Sequence, residues 1–354
     1  MRKQVNRKLC CPVVIVVVAF ILCAPSVQAK RNDDVVILKN GDRITGEIKG
    51  LQRGELNFKA SYMVDAVSLD WARVARLESK DMYQIVLTDG QLFTDYLLLA
   101  PASPNTANNF VIGGKNNSIR VKQMGVLRIT PVEAKFWQQL QGSIDFGQSY
   151  TSGDHQYQVQ FSATATYRKE DHTLTASLDS VFSGQSKGSR TARNEFTLNY
   201  RKQLSPKWYF GGLFDLLRSD QQSLDLRTTI GGLIGRSLMQ TERTRVALFG
   251  GVAGTREKYS ADLGTPRATN ADALAGLDFN TFRFKTTDIS SRFLLYPSLT
   301  TPGRTRMQFK TDLRVKIVKD LYWGLHLYEN YDSKPPVKAD KNDLEVSTSL
   351  GWTF

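Results

Sequence analysis

The chain is poor in cysteine and histidine and, past its first thirty residues, has no long apolar run. Three cysteines in 354 residues exclude a disulfide scaffold. Cys10, Cys11 and Cys23 all precede Lys30, so a chain beginning there carries no thiol, which suits an oxidising exported compartment. The three histidines, His155, His172 and His326, show no clustered metal-ligand spacing. No Gly-rich phosphate loop stands between a strand and a helix, and there is no serine elbow. With no further apolar run of ~20 residues, any membrane crossing after Lys30 must use strands. At 41% hydrophobic and 23% charged residues, the chain is too apolar for disorder and too charged for a helical membrane bundle.

The N-terminus reads as a targeting segment. Arg2, Lys3, Arg7 and Lys8 form a basic head, Leu9 to Ala24 is uncharged and apolar, and Val27-Gln28-Ala29 places a small residue before Lys30. This pattern predicts a signal peptide over 1–29. A transmembrane anchor is the alternative, but the apolar run falls short of the ~20 residues that span a bilayer. Leu22 before Cys23 is too bulky for lipoprotein cleavage. Cleavage removes four of the thirteen excess positive charges.

Residues 30–135 read as a small periplasmic β domain. Val35 to Leu38, Arg43 to Ile48, Glu55 to Phe58, Ala66 to Leu69 and Val74 to Leu77 have strand character, with a hairpin turn at Asn40-Gly41-Asp42. The pattern recurs. Leu38, Gly41, Ile44 and Thr45 align with Leu87, Gly90, Phe93 and Thr94. Val67, Leu69, Val74, Arg76 and Leu77 align with Ile119, Val121, Val126, Arg128 and Ile129. A tandem pair of Sm-like or SH3-like modules is expected, and the string Leu-x-Asn-Gly-Asp-x-x-x-Gly at 38–46 is similar to the strand pair of Sm-like barrels.

From Phe136 the rhythm changes to alternating segments of roughly 10–14 residues, the signature of a transmembrane antiparallel β-barrel of about twelve strands. The expected spans are 140–150, 156–168, 172–183, 192–202, 207–218, 223–238, 243–257, 270–284, 287–299, 304–318, 320–331 and 343–354. Short connections alternate with long ones, as outer-membrane barrels require. The last segment carries Leu344, Val346, Leu350, Trp352 and Phe354 on one face, and Leu350, Trp352 and Phe354 are the expected signal to the barrel assembly machinery. Trp208, Phe210 and Trp323 suit lipid-facing rows and their rims.

The opposite parity predicts the lumenal face. It places Arg292, Arg306, Lys310, Arg314 and Lys316 on the ninth and tenth segments, and Asp145, Asp179, Asp343 and Glu345 on the first, third and twelfth. One reading is a polar pore with a transverse field that selects solutes by charge. The other is a lumen closed by pairing of those charges, because twelve strands lie between filled small barrels and open porins.

Chemistry finds little support. Asp154-His155 and Asp171-His172 are neighbours on turns, and His326 points inward, where it could meet a lumenal carboxylate. No catalytic residue, metal or cofactor is expected. The basic residues are dispersed rather than gathered on a stripe, which argues against nucleic acid.

Tyr331-Asp332-Ser333-Lys334-Pro335, followed by Asp343 and the strand to Phe354, resembles the salt-induced outer-membrane protein family, domain of unknown function 481. Ser223 to Gly235, Ala247 to Glu257 and Gly142 to Gly153 resemble its middle and entry strands, so the likeness covers about 136–354. Asp154 departs from the Asn expected after Gly153. The resemblance implies an exported outer-membrane barrel and supplies no reaction and no catalytic residue. The expectation is a non-enzymatic barrel in outer-membrane lipid, with an envelope-stress or small-solute permeability role. The alternatives are an anchor whose periplasmic domain binds a protein or peptidoglycan, and a lipid-modifying enzyme.

Overall fold

The computed structural model describes residues 34–99 except Gly90, 109–112, 119–132, 140–151, 156–169, 171–185, 190–241, 243–260, 267–282, 286–318, 320–335 and 339–354. The expected signal peptide, His155 and Asp154 lie outside the described residues.

The N-terminal strands are β1 (Asp34–Leu38), β2 (Arg43–Gln52), β3 (Glu55–Lys59), β4 (Val67–Asp70), β5 (Val74–Leu87), β6 (Leu92–Leu99), β7 (Asn109–Ile112), β8 (Ile119–Lys122) and β9 (Val126–Pro131). Strands β1, β5, β9 and β2 close on one another, β3 and β4 extend from β2, and β6 pairs with β5. The two repeated strings take the same form: β4 leads through a 3-10 turn at Trp71–Arg73 into β5, and β8 leads through Gln123–Gly125 into β9. One strand serves both units, because β5 pairs with β1 through Val74–Glu78 and with β9 through Tyr83–Leu87. Their common core is Val36, Ile48, Leu56, Phe58, Trp71 and Ile85, all fully buried. Asp34 is buried with them and accepts from the Ile48 amide (2.8 Å) and the Tyr83 hydroxyl (3.0 Å). Burial, and then the Asp34 carboxylate, pushes the Tyr83 phenol above its ordinary range.

The remaining strands are β10 (Leu140–Thr151), β11 (Gln156–Lys169), β12 (His172–Gln185), β13 (Arg190–Gln203), β14 (Trp208–Ser219), β15 (Leu224–Gln240), β16 (Thr244–Tyr259), β17 (Arg267–Thr281), β18 (Thr287–Pro297), β19 (Thr305–Val318), β20 (Leu321–Asp332) and β21 (Asn342–Thr353). They pair in order, all antiparallel, and close as one barrel. Their ends fall within three residues of the expected spans. The largest shift is at β17, which starts at Arg267 because its register against β16 pairs Lys258 with Arg267 and Thr244 with Thr281.

Closure joins Ser143–Phe146 of β10 to Leu350–Thr353 of β21. Gly142 and Phe354 extend the seam by exchanging backbone hydrogen bonds, both 3.0 Å. The barrel therefore has a near end, where the chain enters and leaves, and a far end. Outward positions expose large apolar side chains, among them Phe146, Trp208, Ile230, Val252, Val346 and Leu350. Among the described residues no helix is long and apolar enough to cross a membrane, which says nothing of crossing by strands.

Candidate functional site: the barrel lumen

The period of two that exposes one face of each strand turns the other face into the lumen. At mid-height these side chains meet across it. Lys310 Nζ lies 2.7 Å from Glu195 and 3.6 Å from Asp179, on strands facing β19. Gln308 donates to the other Glu195 oxygen at 2.8 Å. Arg193 donates to Glu345 (2.9 Å) and Glu195 (3.3 Å), with its guanidinium over the Tyr328 ring at 3.7 Å.

A second layer closes the far end. Arg304, from the loop between β18 and β19, donates to Glu257 (2.8 and 3.0 Å) and Asp332 (3.1 and 2.5 Å). Arg227 adds 2.8 Å to Glu257, and Arg306 adds 2.5 Å to Asp272 and 2.7 Å to Thr255. All these charged side chains are buried. Desolvation of so many charges is offset only where nearly every donor and acceptor is matched. Ser219 to Asp343 (2.7 Å) and the Gln222–Asn330 pair continue the seal.

Below these layers a polar cavity of about 2160 Å³ runs to the near end. On one wall Arg292 forks onto Asp278 at 2.6 and 3.1 Å. On another, His326 Nδ1 is 2.6 Å from Asp312 and Nε2 is 2.8 Å from Ser349 Oγ. That connectivity matches a Ser-His-Asp triad. The surroundings do not suit it to nucleophilic attack. Ser349 is 4% exposed and directs its hydroxyl to Asp145 (3.2 Å), which also accepts from Tyr322 (2.6 Å). The cavity lining includes Asp145, Asp312 and His326 but not Ser349. The cluster braces β10, β19, β20 and β21 together. Among the described residues no group of three or more His, Cys, Asp or Glu could hold a metal ion.

The N-terminal sheet sits at the near end. Arg53, in the β2–β3 turn with φ +58°, reaches Asp288 at 2.8 Å and stacks on Phe282 at 4.1 Å. Gln141 donates to Gln52 at 3.0 Å. Arg128 of β9 faces the barrel's Arg245, and burial together with that neighbour holds its guanidinium down at about 10.

All nine charges read from parity point inward. Arg292, Lys310, Arg314, Lys316, Asp145, Asp179 and Glu345 line the cavity, whereas Arg306 and Asp343 sit in the far-end layer. Arg314 stacks over Tyr322 at 5.0 Å. Most of the expected transverse field is spent in direct pairing. Leu350, Trp352 and Phe354 are exposed. His172 stays in its turn, 3.0 Å from Asp171 and 2.6 Å from the Tyr200 hydroxyl. Parity reasoning missed Arg227 and Glu257, which the same alternation carried through β15 and β16 would have shown. Arg304 begins the expected span 304–318 and shares the even parity of Arg306 and Lys310, although it lies one residue before β19. Arg53 and Arg128 come from the other sheet, beyond the reach of that parity.

The family described as "Protein of unknown function, DUF481" matches residues 144–354. The chain belongs to this family. A comparison with curated proteins gave no match. Among solved structures, the NanC porin is similar at 13% identity and TM-score 0.39, covering 60% of this chain and 98% of that one. An outer membrane channel from Pseudomonas putida F1 gives 12% and 0.35, covering 61% and 95%. The translocator domain of autotransporter NalP from Neisseria meningitidis gives 14% and 0.33, covering 60% and 86%. The barrel assignment rests on the strand pairing itself.

Proposed function

We propose that the protein is an exported, non-enzymatic outer-membrane β-barrel whose lumen is held shut from within, a gated small-solute channel with a role in envelope permeability or stress. The carrying observation is the mid-lumen bar of Arg193, Glu195, Lys310 and Glu345, backed by the Arg304–Glu257 layer. The apolar outer face supports membrane insertion. An even strand number with short near-end turns supports a periplasmic near end and N-terminal domain, with the far end outside. In planar bilayers the wild type is expected to stay closed apart from brief openings. An Arg304→Ser/Lys310→Ser variant is expected to give sustained steps. Continuous wild-type conductance would sink the closed lumen, and a soluble protein with no heat-modifiable gel shift would sink the membrane barrel.

A second reading has its own observation. The β3–β4 loop exposes Tyr62 (74%) and Val64 (91%), a place where a periplasmic protein or peptidoglycan would dock an anchored module. Photo-crosslinking from position 62 in intact cells tests it, and an absence of adducts counts against it.

A further inference from the structure

Five arginines converge where the N-terminal sheet meets the barrel. Arg53 and Arg128 come from the sheet. Arg168, Arg201 and Arg245 come from the near-end inward positions of β11, β13 and β16, and all five line the same cavity. Each lies within electrostatic range of others in the group. Asp278 is also in range of Arg201 and Arg245, but its two oxygens are held by Arg292. Among the described residues only Arg53 has a carboxylate on it, Asp288 at 2.8 Å. Arg201 is held by neutral groups, the Ser237 hydroxyl at 3.2 Å and the Tyr209 ring at 3.5 Å. Among the described residues Arg128, Arg168 and Arg245 make no hydrogen bond or ion pair, and the Arg128 Nε is buried with no acceptor.

This is opposite to the rest of the lumen, where nearly every buried cation has its carboxylate. A chain that matches Arg193, Arg227, Arg292 and Arg304 so closely does not lack acids to place here. Like charges brought together out of bulk water repel one another, and such uncompensated clusters mark places where a ligand supplies the missing charge. We infer that the vestibule between the N-terminal sheet and the barrel is a binding site for a multiply charged phosphoryl oxyanion. Phosphoryl oxygens present the acceptors that guanidinium forks bind in pairs, and a charge of two or more matches the number of unpaired forks. Because the arginines come from both bodies, the bound anion also ties the sheet to the barrel mouth. The site stands whether or not the barrel conducts.

The phosphoryl group has two sources, a soluble phosphate compound or a lipid headgroup. Full-length mature protein in neutral detergent is titrated calorimetrically with pyrophosphate, with ionic strength held constant by chloride. Saturable binding is expected, weakened tenfold or more in Arg168→Gln/Arg245→Gln and unchanged in Arg218→Gln, whose side chain pairs with Asp220. Heat no greater than a chloride titration, or equal affinity in the double variant, overturns the site. The same titration in nanodiscs separates the sources. Binding in both phosphatidylcholine and cardiolipin discs, the latter presenting two phosphoryl charges in one headgroup, assigns the soluble anion. Binding in phosphatidylcholine discs alone assigns the lipid headgroup, which already fills the site in the other discs. A fold readout guards the variant: its melting midpoint without ligand should rise, because repulsion is relieved. A fall would mean that these arginines serve the fold, and would also overturn the site.

Discussion

Trp71 and Gln123 occupy the first position of two equivalent 3-10 turns, and they bind each other. The Trp71 indole N–H donates to the Gln123 carbonyl at 2.9 Å. The Gln123 amide returns hydrogen bonds to the Trp71 carbonyl and, at 2.9 Å, to that of Val74. Both side chains are buried. The two repeats are thus locked at corresponding points rather than strung in series. Gln123→Ala keeps the indole's acceptor, and the Trp71 carbonyl keeps the Val74 N–H, but the Val74 carbonyl loses its side-chain donor, at about 1–3 kcal/mol for a buried group left unsatisfied. We expect faster proteolysis of the N-terminal sheet, with the barrel's heat-modifiable mobility unchanged.

Glu257 is the acceptor for both Arg227 and Arg304, and all three side chains are 6% exposed or less. Glu257→Gln leaves two buried guanidinium groups facing a neutral amide. Breaking a buried pair from one side costs about 3–5 kcal/mol. The surface pair Arg218–Asp220, with Arg218 55% exposed, should yield at most about 1 kcal/mol on Arg218→Ala. The temperature at which the compact gel band converts to the slow one should fall clearly for the first variant and hardly for the second. Equal shifts would show that the far-end layer is not a buried network.

The alternation of β10 to β21 is legible because a strand offers only two faces, and apolar residues repeat on one of them. The 49- and 52-residue offsets that relate Leu38 to Leu87 and Val74 to Val126 are legible for the same reason, since equivalent backbones need equivalent side chains. Partnership across the lumen is not. Nothing local to Lys310 indicates Glu195, because that neighbour exists only once the sheet has closed. The same holds for Arg304, which continues the even parity of Arg306 while its partners Glu257 and Asp332 come from other strands.

The glycines of the barrel have a positional meaning that periodicity also hid. Tyr209 stands directly opposite Gly235, as do Tyr157 and Gly184, Phe249 and Gly276, and Tyr322 and Gly351. In each pair a Cβ on the glycine would strike the aromatic ring. The missing side chain lets the ring lie flat over the neighbouring backbone. At Tyr209 this presents the ring face on which Arg201 stacks at 3.5 Å. Gly235→Ala should cost about 1–3 kcal/mol through overpacking and should weaken pyrophosphate binding by displacing Arg201. Adding Tyr209→Ala should recover part of the stability but not the binding. Recovery of both would separate the ring from the arginine's role.

The seating of the N-terminal sheet on the barrel mouth can be tested without touching a charge. Gln52 and Gln141 meet through their amides at 3.0 Å, one from the end of β2 and the other from the start of β10. No cysteine follows Cys23, so a Gln52→Cys/Gln141→Cys variant carries the only two thiols in a chain cleaved before Lys30. A short bis-maleimide should join them in intact membranes, giving a band of altered mobility that Tyr62→Cys/Gln141→Cys does not give. If a phosphoryl anion bridges Arg128 to Arg168 and Arg245, pyrophosphate should raise the yield in the first variant, and Arg168→Gln/Arg245→Gln should abolish that rise while leaving the basal yield. No crosslink at all would mean that the sheet does not rest on the mouth. A crosslink indifferent to pyrophosphate would leave the seating to Arg53–Asp288 and the glutamine contact, both at the rim, where such pairs contribute only about 0–1 kcal/mol.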